Sequence, residues 1–213
     1  MRGALTMISW IDSDAPVFFD TDCLGCFLWT SNLLVLRRLL AARIRIPEEV
    51  AFEIMRRRAG ASRGLRVRMA QSDLGQFIST GTAVIVCIEP ESKQHDEFDR
   101  LVSGGFQGKR LGRGESAALV HARFAPGIVA GNNRGDIVPY CQSYGLRWMT
   151  TTRMIVDAVS SNKLAFEEAK HMWERMVEEE RRMPYPDFQG AWDNEARCEA
   201  ETAATLDHPR SEE

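Results

Sequence analysis

No stretch of this sequence approaches the run of about 20 apolar residues that a membrane-spanning helix requires, and the mean hydropathy is −0.27. The N-terminal Met1-Arg2-Gly3 soon meets Asp12 and Asp14. It therefore lacks the apolar core of a signal peptide, and a cytoplasmic protein with no membrane partner is expected. Cysteines number only 5, an odd count and too sparse for a secreted disulfide framework. Cys23-Leu24-Gly25-Cys26 has CxxC spacing, but neither a second CxxC nor a spaced histidine pair completes a zinc site. Two small apolar residues at the start of a buried helix are expected there instead. Histidine is scarcer still, at 4, and His95, His121 and His171 show no metal-pair spacing. The glycines at Gly104, Gly105 and Gly108 lack the GK[ST] ending of a phosphate loop and read as a flexible turn.

What is present suits a chain able to bury its own core: 213 residues, 44% hydrophobic and 27% charged. The net charge of −3 is laid out unevenly. From Asn194 onward the chain is acidic and alanine-rich, with no large apolar residue other than Leu206. Residues 193–213 therefore read as an acidic, disordered tail. Residues 1–15 read as an N-terminal extension and 16–192 as one domain. Arginines cluster in that domain at Arg37-Arg38, Arg43, Arg45, Arg56-Arg57-Arg58, Arg63, Arg66 and Arg68. Such runs usually mark solvated helix faces, and they imply a polyanionic partner only where they converge on a site.

Strand and helix patterns alternate along the body. Val17-Phe18-Phe19 is a short buried strand, followed by an apolar helix over 24–42. Ile44-Arg45-Ile46 is a second strand, and Pro47-Glu48-Glu49 opens the next helix. Residues 63–78 carry helical spacing. Residues 83–88 are apolar on both sides, as a central parallel strand would be. Further helices are expected at 92–102, 114–124, 136–144, 152–160 and 166–182, with strands at 127–130 and 146–149. This alternation predicts an α/β fold: three layers, α/β/α, around a mostly parallel sheet of about five strands.

In such sheets chemistry gathers just beyond the carboxyl ends of the strands. Asp20-Thr21-Asp22 follows the first strand, Gly131-Asn132-Asn133-Arg134-Gly135-Asp136 the fourth, and Thr150-Thr151-Thr152 the fifth. Glu53 and Glu115 stand at helical positions able to reach the same edge. Carboxylates crowded together raise each other's pKa, and a divalent cation relieves the repulsion. Oxygen-only donors favour Mg2+ or Mn2+ over zinc, a metal chemistry suited to phosphodiester hydrolysis, with the arginines holding flanking phosphates. Each acid alone also has an ordinary explanation: a helix-dipole contact for Glu115, surface charge for Glu53.

Taken in order, these segments resemble the PIN-domain nucleases, particularly the toxin-type branch of bacterial toxin–antitoxin pairs. The matching residues are Val17-Phe18-Phe19-Asp20-Thr21-Asp22, residues 46–54, Gly112-Arg113-Gly114-Glu115-Ser116-Ala117, residues 129–137 and Trp148-Met149-Thr150-Thr151. The resemblance extends from Pro16 to Trp192. It implies a Mg2+-dependent (or Mn2+-dependent) endoribonuclease with catalytic Asp20, Glu53, Glu115 and Asp136. Asp20, Glu115 and Asp136 would be the metal ligands, and Glu53 would bind a metal-held water or a second cation. Asn133 and Thr151 would orient ligands or phosphate, and Asp22 would make a structural hydrogen bond. The partners implied are an RNA substrate, a cognate antitoxin protein and a second copy of the chain. The chain departs from the family where Asn133 stands at a position often held by Asp.

Two other readings fit parts of the pattern. Asp20-Thr21-Asp22 also matches the opening of haloacid-dehalogenase-like phosphatases, in which Asp20 would be the nucleophile and Asp22 the general acid. Against this, Tyr140 stands where a second late acid belongs, and Cys23-Leu24 replaces the expected threonine. An inert PIN-like binding module is the non-enzymatic alternative.

Overall fold

The computed structural model describes residues 13–56 and 64–195. Residues 196–213 of the expected tail, most of the N-terminal extension, Arg57, Arg58 and Arg63 lie outside these residues, whereas 193–195, expected to be disordered, close a helix. Contacts divide the chain into two compact units, Met1–Thr151 and Thr152–Glu213.

The first unit is built on five parallel strands: β1 (Val17–Phe19), β2 (Ile44–Pro47), β3 (Ala83–Val86), β4 (Ile128–Ala130) and β5 (Arg147–Met149). They lie in the order β3-β2-β1-β4-β5. Every residue of β1 and β4 is buried, because these strands occupy the middle of the sheet. Val17 registers with Ile44 on one side and Ile128 on the other. The fold is three-layer α/β/α, as the alternation of elements predicts. From β1 the chain builds outward through β2 to β3, then returns to place β4 on the other flank of β1. The strand order therefore reverses between β1 and β4, which opens a crevice at their carboxyl ends.

β3 corrects one expectation. Its apolar sequence suggests a central strand, yet it lies at the sheet edge and Val84 is 45% exposed. The single helix expected over 24–42 is instead two, α1 (Thr21–Leu28) and α2 (Leu33–Leu40), bent by 114°. Thr30 bonds back to the Cys26 carbonyl, Asn32 bonds to Thr30, and Ser31 takes a positive φ of 57°. These local side-chain bonds offer the backbone an alternative to continuing the helix. No single helix among the described residues is long and apolar enough to cross a membrane, although this bent pair passes that test by length and composition.

The remaining helices of this unit are α3 (Glu48–Met55), α4 (Gly64–Ser79), α5 (Lys93–Ser103), α6 (Arg113–Phe124) and α7 (Arg134–Tyr144). α6 is the central one. From Ser116 to Ala122 every residue is buried, in a core shared with Phe18, Phe98, Leu101, Val129, Ile137 and Tyr140. A helix apolar all round must be packed on several sides, and this packing fixes the position of its N-terminus. Glu97 of α5, almost fully buried, adds a polar clamp. It accepts from both Nε and Nη2 of Arg100, from the Tyr140 hydroxyl at 2.6 Å and pairs with Arg123 at 2.7 Å. Burial alone would raise its pKa, but these partners hold the carboxyl below its usual range.

The second unit contains α8 (Thr151–Ser160) from Thr152 onward, α9 (Phe166–Glu178) and a helix over residues 188–195. Phe188 packs against Phe166, Trp173 and Trp192, with ring centroids 5.1–6.4 Å apart. Trp173 donates its indole N–H to the Tyr185 carbonyl, and it is buried with Met172 and Met176 along one side of α9.

Candidate active site

Asp20 lies at the carboxyl end of β1, next to the crevice. Its backbone N–H continues the sheet by donating to the Ala130 carbonyl. Its side chain then caps α1, with Oδ1 accepting from the Cys23 N–H at 2.6 Å. Oδ2 accepts from the Asn132 N–H at 3.3 Å, across from the end of β4. The carboxyl is 3% exposed. Burial pushes its pKa up to about 7, reinforced by the charges of Asp22 and Glu115 and opposed by the Cys23 and Asn132 bonds. Gly131 makes this approach possible, since a Cβ there would stand 2.2 Å from Ile137 Cδ1 and 2.6 Å from Asp20 Oδ2.

Glu115 enters from the first turn of α6. Burial likewise raises it to about 7. The Gly112 N–H, the Lys109 ammonium and the Asn133 side chain favour its charged form, while Asp22 opposes it. Asp22 is exposed, and its charge acts on both acids. Carboxyls raised toward neutrality by burial and by neighbouring negative charge are often found at functional sites.

Glu53 is exposed on α3 and binds groups flanking the other two acids. It accepts from Thr21 Oγ1 at 2.5 Å and from the Gly114 N–H at 3.0 Å. Asp136 is buried in the first turn of α7, where Asn133 Nδ2 donates to its Oδ2 at 2.5 Å and Lys109 pairs with its Oδ1. Asn133 thus bridges Asp136 and Glu115. Thr151 is buried, donating its hydroxyl to Cys23 Sγ and its N–H to Asn132 Oδ1. Cys23 and Cys26 are both buried on α1 and neither forms a disulfide.

Four residues that the motif reading left out or gave a lesser role shape this site. Thr21 tethers Glu53; Asn132 links Asp20 to Thr151; Lys109 neutralises Asp136; and Asp22 loads the acidic pair. Thr21 and Asp22 belong to the acidic opening itself, and Lys109 follows the glycine-rich turn, so position offered a signal for each of them.

No protein-family model matches this chain, and no curated protein matches it.

The donor set suits a hard divalent cation, since Asp20, Glu115 and Asp136 offer only carboxylate oxygen and two of the three hold protons unusually tightly. Among the described residues, however, no group of three or more His, Cys, Asp or Glu side chains is gathered so as to hold a metal ion. The acids stand as linked neighbours, with Asp136 engaged by Lys109. A separate groove of about 270 Å3 between α2 and α4, lined by Leu33, Leu34, Arg37, Asp73 and Phe77, contains none of the four acids.

Proposed function

We propose that this protein is a metal-dependent, PIN-like endoribonuclease that hydrolyses RNA phosphodiester bonds and serves as the toxin of a toxin–antitoxin pair. The observation that carries this reading is the pairing of Asp20 and Glu115. Two acids from distant parts of the chain are both raised to about 7 beside the crevice of a parallel sheet. Asp20, Glu115 and Asp136 would hold Mg2+ or Mn2+, which when bound supplies activation of water and neutralisation of phosphate charge.

The chain's own groups support this chemistry. Asp20 is immobilised by two backbone N–H groups, and Glu53 fixes the N-terminus of α6 that carries Glu115. Asn133 holds Asp136 at the start of α7. Arg110, Arg113 and Arg134 are exposed beside the same edge, where they can bind flanking phosphates. Exposed Leu34, Phe52, Met55, Leu65 and Met69 offer apolar surface for a protein partner such as an antitoxin or a second copy.

Incubation of single-stranded RNA with the protein in Mg2+ and in EDTA tests the reading. Cleavage should require Mg2+ and fall at least about 100-fold in Asp20→Asn, the order expected for loss of a group acting on the transition state. Equal cleavage in EDTA contradicts it. An acyl-phosphate trapped on Asp20, with turnover of small phosphomonoesters and none of RNA, would favour the phosphatase instead.

A further inference from the structure

We propose that Arg134 and Trp148 form a stacking subsite for one unpaired base of the RNA, beside the acidic edge. The inference rests on the RNA reading above for its ligand, and it requires no metal ion.

Trp148 is the middle residue of β5, the strand that ends the sheet beside β4. It registers with Val129, and its ring packs against the core that contains Phe18, Val129 and Ile137. That packing holds the indole in place, yet the residue stays only half-buried. Arg134 opens α7 directly after Asn133 and two residues before Asp136. It is exposed, and its guanidinium lies over the Trp148 ring, 5.4 Å from the centroid. Among the described residues no carboxylate pairs with Arg134, and the Trp148 indole N–H has no hydrogen-bond partner. Other arginines over rings are committed internally. Arg100 lies over Phe106 and Arg123 over Tyr144, but Glu97 pairs with both.

A guanidinium is planar and weakly hydrated, so its faces stack on π systems while its rim donates hydrogen bonds. Trp148 occupies one face of Arg134. A base on the outer face would complete an indole–guanidinium–base stack, leaving rim N–H groups for the adjoining phosphate. The indole also restrains the arginine beforehand, which lowers the ordering cost of binding. Bases in a duplex are already stacked on one another, whereas unpaired bases are recognised on aromatic rings and arginine planes. A purely ionic contact would use only the charge of Arg134, which lysine supplies equally well.

The test measures binding by the full-length chain in EDTA, to a labelled short oligoadenylate and to the same ribose-phosphate strand without bases. Arg134→Lys keeps the charge at an exposed position, so its melting temperature should match wild type. It should bind oligoadenylate at least about 5-fold more weakly, the low end for loss of one stacked base, and the base-free strand unchanged. The dependence of affinity on salt should also be unchanged, because the phosphate contact survives. Trp148→Leu should reproduce the selective loss, and wild-type affinity in that variant overturns the role of the indole. Wild-type affinity of Arg134→Lys for oligoadenylate, or an equal loss on both strands, overturns the subsite. So does failure of the wild type to bind oligoadenylate. A selective loss in EDTA without RNA cleavage in Mg2+ upholds the subsite while the nuclease reading fails.

Discussion

Thr21 Oγ1 donates a 2.5 Å hydrogen bond to Glu53 Oε2, tying the residue after Asp20 to a helix 32 positions away. The other oxygen of Glu53 holds the Gly114 N–H, one residue before Glu115. One exposed carboxylate therefore sets the spacing between the two acids whose proton affinities are raised most clearly.

Gly114→Ala tests that tether. Replacing glycine by alanine inside a helix ordinarily stabilises by about 0.5–1 kcal/mol. Here the new Cβ would stand 2.5 Å from Thr21 Oγ1, 3.1 Å from Glu53 Oε2 and 3.1 Å from Val50 Cγ2. The sign should reverse, with a loss of about 1 kcal/mol or more by chemical denaturation as the Thr21–Glu53 bond breaks. Under the proposed function, RNA cleavage should fall in parallel. Thr21→Val, which removes the donor without adding bulk at Gly114, should reproduce the activity loss at about 1 kcal/mol of destabilisation.

Glu115→Gln should separate function from stability. A carboxyl raised to about 7 from 4.5 holds its proton in the folded protein while the unfolded chain has released it. Its contribution is fully present below pH ~4 and is lost as pH rises through 7. At pH 8 in EDTA the charged wild-type carboxylate is therefore destabilising, and Glu115→Gln should melt higher by a few degrees. At pH 5 the advantage should shrink or vanish. Activity should be lost at both values, and Mg2+ should stabilise the wild type more than the variant. Thermal melts across pH, with and without metal, check all three expectations.

His121 should shape the acid limb of stability. It is buried on α6, its ring stacked on Phe18 at a centroid distance of 5.7 Å. Burial lowers its pKa to about 4, against a bond to the Val86 backbone that pulls upward. Between pH 6.5 and 4 the unfolded chain takes up a proton that the folded one refuses, so stability falls with pH in that window. His121→Phe keeps an aromatic ring against Phe18 and cannot titrate. Its stability should depend less steeply on pH, by about one proton, in denaturant titrations over that range.

The sheet and Asp20 were legible because an apolar triplet ending in an acid has few uses other than a strand delivering a carboxyl to an edge. Cys23 and Cys26 were legible for a similar reason, since the CxxC had no second ligand pair to complete it. The kink at Trp29–Asn32 was not, for it contains neither glycine nor proline and arises from hydroxyl and amide groups bonding locally. The edge position of β3 was hidden because an apolar strand reads alike whether one or two neighbours flank it. In the site, Asn132 and Asn133 are adjacent amides. Only the turn after β4 determines that Asn132 serves Asp20 and Thr151 while Asn133 serves Asp136. The Lys109–Asp136 and Thr21–Glu53 pairs join residues 27 and 32 positions apart, and no local pattern specifies such contacts.

The most direct test of the account is a crystal of the protein soaked in Mn2+, with anomalous diffraction recorded at the manganese edge. The proposed function predicts a manganese peak bonded to carboxylate oxygens of both Asp20 and Glu115. Saturating Mn2+ that leaves these carboxylates unliganded would contradict it.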